Sequence, residues 1–265
     1  MTSSTAASRG SEVLVDAMDR HGAQAWRTAG SIQAELQTGG LLWATRGRRG
    51  FRGDALVATR TVRTVLNRFP GDGRRGVFEP GRVWIETNDG RVAAERFGAR
   101  ELFSKPRRRL YWDDLDLLYF VGYALWNYLN APFLLAEPGF EVRELEPGAG
   151  GDSRALAATF PPDVPTHCRE QVFHFDANGL LSRLDYTAEV VGGWARAAHT
   201  CAEYRDFSGL WVAKRRRVTP RTKRGHALGH PTLVSIDIAD ARLHGADETA
   251  PERRALMSAH AFGAR

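Results

Sequence analysis

The chain has 265 residues, of which 43% are hydrophobic and 26% charged. That is enough apolar material for a real core, and it excludes a disordered or fibrous protein. Basic residues number 37 against 31 acidic, a net charge of +6 carried mostly by arginine, and so small an excess argues against nucleic acid as a partner.

Two cysteines, Cys168 and Cys201, with no CxxC spacing, exclude a disulfide framework and argue against a structural zinc site. Residues 1–10 are polar and lack the apolar core of a secretory signal. No uninterrupted apolar run approaches the roughly 20 residues of a membrane span. The expectation is a cytoplasmic protein with reduced cysteines, no transmembrane segment, no metal and no cofactor.

Residues 1–10 read as a tail, and a first helix follows over Ser11–Thr28, with Ser11 as its cap. Leu14, Ala17, Met18, His21 and Ala25 share one helical face, and Gly22 weakens the pattern. Ile32, Ala34 and Leu36 then alternate with Gln33, Glu35 and Gln37, the period of a half-buried strand. A bend at Thr38-Gly39-Gly40 leads to a second strand over Leu41–Thr45 and a glycine-rich basic loop over Arg46–Asp54. Ala55–Phe69, rich in Val and Thr, reads as one alternating strand. Pro70–Gly73 is a turn, and Val77–Phe78, Val83–Thr87 and Arg91–Arg96 read as strands, with Asn88-Asp89-Gly90 as a hairpin turn.

The middle of the chain changes period. Leu115, Leu118, Tyr119, Gly122, Trp126 and Leu129 recur at helical spacing behind a capping Asp113 or Asp114. Pro132 ends this helix, and its apolar girth predicts deep burial. Strands resume over Glu141–Leu145, Arg154–Phe160, Glu170–Phe175, Leu181–Val190, Ala197–Phe207, Leu210–Thr219 and Thr232–Asp240. Turn signals separate them at Pro147–Gly151, Pro161-Pro162, Asp176–Gly179, Gly192-Gly193 and Ser208-Gly209. So many short strands predict a mainly β fold, a curled antiparallel sheet forming a barrel or half-barrel with an N-terminal helix and one buried central helix. One domain over 11–246 and a flexible tail over 247–265 complete the reading.

The segment Gln171–Tyr186, with its Phe-His-Phe-Asp-Ala-Asn-Gly-Leu-Leu hairpin, resembles a hairpin of the lipoprotein-sorting, lipid-carrier half-barrels. A helix leading into long strands is similar to that group too. Trp112-Asp113, Trp126-Asn127-Tyr128, Pro132-Phe133, Phe160-Pro161, Thr166-His167 and Asp185-Tyr186 resemble an uncharacterised bacterial cytosolic protein family, across most of the chain. The resemblance to the carriers implies a β-cup with an apolar interior.

No Walker loop, GxGxxG, HExxH or GxSxG motif is present. The candidate acid/base groups are Asp185, His199, His167, His174 and Tyr186. Adjacent antiparallel strands hold facing side chains about 5 Å apart, so a histidine on one can meet an Asp or Tyr on the next. The alternative is that Arg183 and Asp185 form an exposed ion pair and that the histidines, with Cys201, sit on a solvated face. Tyr111, Trp112, Tyr123, Trp126, Asn127 and Tyr128 form an aromatic set suited to line a cavity, or simply to pack a core. Arg107–Arg109 and Lys214–Arg217 are basic runs, but alternation prevents the second from pointing one way.

The function these features imply is binding of an apolar small molecule, such as a polyketide, terpenoid or acyl compound. The cup would serve a cofactor-independent cyclase or isomerase of specialised metabolism, or a non-catalytic carrier. A nucleic-acid or anionic-membrane surface binder is the reading from a different class. Oligomeric state is left open.

Overall fold

The computed structural model describes residues 3–146 and 154–245, with side chains from residue 12 onward. The elements in chain order are α1 (Ser3–His21), α2 (Ala23–Thr28), β1 (Ala29–Gly39), α3 (Leu41–Thr45), β2 (Arg52–Ala58), β3 (Thr64–Asn67), β4 (Arg74–Glu79), β5 (Arg82–Thr87), β6 (Val92–Phe97), α4 (Ala99–Leu102), α5 (Asp114–Asn130), β7 (Glu141–Leu145), β8 (Arg154–Thr159), β9 (Glu170–Phe175), β10 (Leu181–Thr187), β11 (Arg196–Phe207), β12 (Leu210–Pro220) and β13 (Val234–Gly245). All thirteen strands join one antiparallel sheet in the order β6-β5-β4-β3-β2-β1-β13-β12-β11-β10-β9-β8-β7. Two meanders are thus sewn together where β1 pairs with β13, Ile32 opposite Leu243 and Leu36 opposite Ile238. The sheet is open: β6 and β7 remain edges, so the form is the half-barrel.

Helix α5 explains the curl. Asp113 caps it by accepting from the Asp116 backbone N–H, and the Asp116 carboxylate accepts from the Asp113 N–H, a complete capping box. Arg96 from β6 and Arg108 reach both carboxylates. Burial opposes ionisation of Asp113, but the Arg96 hydrogen bond and its charge hold the carboxyl down at about 2. Beyond the cap, every residue from Leu115 to Asn130 is buried. A helix apolar on all sides must be enclosed on all sides. It packs on β2 to β6, while Tyr128 reaches β10 and β12 across the cup. Gly122 lets it lie against the sheet, because a Cβ there would collide with the Phe78 side chain on β4.

The polar groups that the helix carries inward are met by the sheet. Trp126 donates to the Thr61 carbonyl at 2.9 Å. The Asn130 amide donates to the Ala58 carbonyl and its oxygen accepts from Trp26 Nε1. Asn127 donates to the Tyr123 and Pro165 carbonyls.

Several local expectations change. Leu41–Thr45 is helix α3, not a strand: Gly40, at φ 112, turns the chain out of the sheet, and the Leu-Leu-Trp-Ala run has no alternation to hold it there. Ala55–Phe69 is two strands. The turn between them has no Gly, Pro or Asn; it is held instead by Thr59, which donates to the Ala29 carbonyl, and by Trp126 on Thr61. The first helix breaks at Gly22, whose φ of 96 and close approach to the Gly209 carbonyl suit glycine alone. The Ser208-Gly209 turn has φ of 55 and 88, the left-handed pair of a two-residue hairpin. Helix α4 was not anticipated. Helix α1 begins at Ser3, so Ser11 lies within the helix rather than at its cap. The Pro147–Gly151 turn and the tail over 247–265 lie outside the described residues. No helix among the described residues is long and apolar enough to cross a membrane.

Replacing Trp126 with Ala removes a large buried ring and leaves the Thr61 carbonyl without its donor. The expected loss is about 3–5 kcal/mol, read as a shift of the urea midpoint. A loss below about 1 kcal/mol would show that Trp126 is not core.

Candidate functional site

Five of the candidate residues converge beside α5. His167 lies on the loop before β9 rather than on the strand itself, and it is almost fully buried. Its backbone is pinned by Arg100 of α4, which donates to the Thr166 and His167 carbonyls and pairs with Glu189. The imidazole sits between two tyrosines five residues apart on α5: Tyr123 Oη is 2.9 Å from Nδ1 and Tyr128 Oη is 2.6 Å from Nε2. Tyr128 Oη also lies 3.0 Å from Tyr186 Oη on β10. The Tyr186 ring stacks flat on His167, with centroids 4.1 Å apart.

Burial drives the protonation states. His167 falls from an ordinary 6.5 to about 3, first because it is desolvated and then because Arg100 is near, so it is neutral at pH 7. Burial also raises the Tyr123, Tyr128 and Tyr186 hydroxyls well clear of the neutral range. A neutral imidazole has one N–H and one bare nitrogen. Three hydroxyls and one ring therefore bring four protons to three hydrogen bonds. One O–H is left over, on Tyr186 or on Tyr123, according to which way the chain of bonds runs.

His199 of β11 packs edge-on to Tyr128 at 4.4 Å and is wholly buried, with neither ring nitrogen hydrogen-bonded. Burial, then Arg216, push its pKa well below the ordinary value. Arg216 of β12 is buried too. It donates to Cys201 Sγ and to the Tyr128 carbonyl, both at 3.1 Å, and no carboxylate among the described residues pairs with it. The expectation of a solvated face for His199 and Cys201 is thus overturned: both point into the cup, as the inward positions of β11 require.

Asp185 and His174 do not join this group. Asp185 stands opposite Ala198 on β11, so its side chain takes the outer face while Leu184 and His199 take the inner one. It accepts from Arg183 and lies 3.3 Å from His174 Nε2, a largely buried ion cluster on the sheet face away from α5. Trp112 and Trp126 are core, Asn127 ties α5 to the Pro165 loop, and Tyr111 is exposed beneath Arg107. In the basic runs, Arg215 pairs with Glu203, Arg217 with Asp237 and Arg108 with Asp116.

His167 and Tyr186 also border a cleft of about 610 Å³. Its walls are largely apolar, with Leu42, Phe120, Val191, Val218, Leu233 and Val234 among them. Trp194, 75% exposed, stands at the lip on a turn closed by bonds between Ala188 and Ala195. Arg46, Arg109, Arg196 and Arg221 complete the border. Arg46 opens a glycine-rich loop, where no period marks a side chain as inward. The inward place of Arg216, by contrast, follows from alternation with Arg215 and Arg217. Among the described residues no group of three or more His, Cys, Asp or Glu side chains is placed to hold a metal ion.

No protein-family model and no curated protein matches the chain. Among solved structures, it is similar to a LolA superfamily protein from Nitrosomonas europaea, with a TM-score of 0.50 and 11% identity over 89% of this chain and 93% of that one. A DUF1329 family protein from Desulfovibrio piger aligns with a TM-score of 0.48 and 14% identity over 88% and 92%. At such identity the likeness is one of fold, the one that the sequence resemblance to the carrier half-barrels implies.

The three buried neutral histidines set an acid limit. His21 falls to about 4, chiefly by burial, alongside His167 at about 3 and His199. Unfolded, each takes up a proton near its ordinary 6.5. Below that pH the unfolded chain binds more protons than the folded one, so stability falls as pH falls. Each histidine contributes a slope of up to about 1.4 kcal/mol per pH unit between its unfolded and folded values. Urea unfolding between pH 7.5 and 5 should show this decline; a flat profile would show that these rings are not held neutral.

Proposed function

We propose that the chain binds a hydrophobic small molecule, such as a polyketide, terpenoid or acyl compound, in the cleft beside His167 and Tyr186, and acts as its carrier. The observation that carries this reading is the cleft itself. Its volume of about 610 Å³ falls within the range of small-molecule sites, and its walls are apolar apart from a few convergent polar groups. The half-barrel shared in fold with the LolA superfamily protein supports the same reading.

The protonation states favour a carrier over an acid/base enzyme. A general base works best with a pKa near the operating pH, whereas His167 at about 3 is too weak a base. The second reading, a cofactor-independent cyclase or isomerase, draws support from the spare proton of the tyrosine–histidine chain. Tyr186 is positioned to offer it to a ligand oxygen.

Native mass spectrometry of the purified protein should find a co-purifying small molecule, and Ala188→Phe, which fills the cleft from its wall, should abolish it while circular dichroism stays unchanged. Retention of the molecule by that variant would place binding elsewhere. Tyr186→Phe separates the two readings. A carrier keeps its ligand within about threefold, the worth of a weak neutral hydrogen bond. An enzyme releases a converted product that the variant fails to form.

A further inference from the structure

We propose that the ligand of this cleft is an amphiphile whose oxyanion head, a carboxylate or a phosphate, pairs with Arg46. The proposal rests on the cleft being the binding site.

Arg46 is only 8% exposed, yet no carboxylate among the described residues pairs with it. Its contacts are weak: Nη1 donates to the Thr45 carbonyl and hydroxyl at 3.3 Å, the guanidinium lies 5.7 Å from the Trp112 ring centre, and the buried Nε–H has no acceptor. Burial alone lowers its pKa. A buried charge without a counter-charge is costly, and a ligand oxyanion would offset that cost at Arg46, whose contacts are longer than those that hold Arg216.

Nearby arginines show the contrast. Arg96 and Arg108, at the head of α5, both pair with Asp113 and Asp116, and Arg48 pairs with Asp114. Arg46 alone of these borders the cleft. Around that cleft stand Arg46, Arg109, Arg196 and Arg221 and, among the described residues, not one Asp or Glu. Of the four, only Arg221 approaches a carboxylate among the described residues, Asp185, at 3.8 Å. The apolar wall accounts for a hydrocarbon body, and the uncompensated guanidinium accounts for an oxyanion, to which arginine presents a planar fork of donors.

The test is a chain-matched series, dodecanoate, dodecyl phosphate and dodecanol, each below its micelle concentration, titrated by calorimetry and by intrinsic tryptophan fluorescence, with Trp194→Phe isolating the part that comes from the lip of the cleft. One or both anions should bind at least about tenfold tighter than the alcohol, and the better anion names the head group. In Arg46→Met that preference should fall below about threefold, and in Arg46→Lys most of it should return. Arg46→Met should melt no lower than the parent, since it loses an unpaired buried charge. Equal binding of all three probes would overturn the head-group proposal and leave the hydrophobic site standing. Binding of none would overturn both. Arg46→Met melting several degrees lower would overturn the proposal by making Arg46 a structural residue.

Discussion

The structure depends on enclosing one helix. Sixteen residues of α5, Leu115 to Asn130, run through the cup with no face left for solvent, and the sheet on either side covers them. A flat sheet could cover one side only. Sewing two meanders together at β1 and β13 gives a sheet wide enough to wrap the helix, with β2 to β6 on one flank and β10 to β12 on the other. The two flanks meet α5 with different chemistry. The first flank presents mostly hydrocarbon, such as Val57, Leu66 and Phe78. The second presents Tyr186, His199 and Arg216 to Tyr128.

That division fixes where ionic and neutral polar groups can stand. At the N-terminal end of α5 the polar groups are charged and paired: partly exposed Asp113 and buried Asp116 against Arg96 and Arg108. Deeper in, phenol and imidazole replace carboxylate and ammonium, because a neutral group loses far less on desolvation and a hydrogen bond recovers most of it. Arg216 is the exception, and it is met by a carbonyl, a thiol and the face of Tyr128 rather than by a counter-charge. His199 beside it has no hydrogen bond at all, so the neutral form is the one this position tolerates.

Elements whose signal is local were legible in the sequence. The α5 stripe, its Asp113 cap, and strands with clean alternation such as β9 sit where period and turn chemistry place them. What was not legible depends on tertiary partners. The turn after Ala58 is stabilised by Ala29 and Trp126, which lie far away in sequence. His167, on a loop, carries no periodicity, yet Arg100 holds its carbonyl, Gln171 holds Thr166 and Cys168 on either side of it, and the two tyrosines fix its ring. Tyr123 and Tyr128 were legible as an aromatic pair on one helix. That they grip one imidazole from both sides depends on where a later loop returns. Asp185 next to Tyr186 shows the limit of adjacency: neighbours on a strand face opposite ways, so only one of them belongs to the cup.

The cleft therefore offers a ligand two kinds of polar contact that are not interchangeable. His167 and Tyr186 are neutral and already engaged with each other through Tyr128, so what remains for a guest is one hydroxyl proton. A guest acceptor at Tyr186 would fix the direction of the whole chain of bonds: Tyr186 toward the guest, Tyr128 toward Tyr186, His167 Nε2–H toward Tyr128, and Tyr123 toward His167 Nδ1. Without such an acceptor the reverse order is equally allowed and the spare proton passes to Tyr123. Tyr186 thus suits a neutral oxygen, such as a carbonyl, ether or hydroxyl. Arg46, in the same wall, brings a permanent charge that no neutral oxygen can match. A guest with an oxyanion at one place and a neutral oxygen at another would satisfy both, and the hydrocarbon between them would meet Phe120, Val218 and Val234. Specificity in such a site comes from leaving buried donors unpaired when the wrong guest is present, which costs more than any apolar mismatch along the wall.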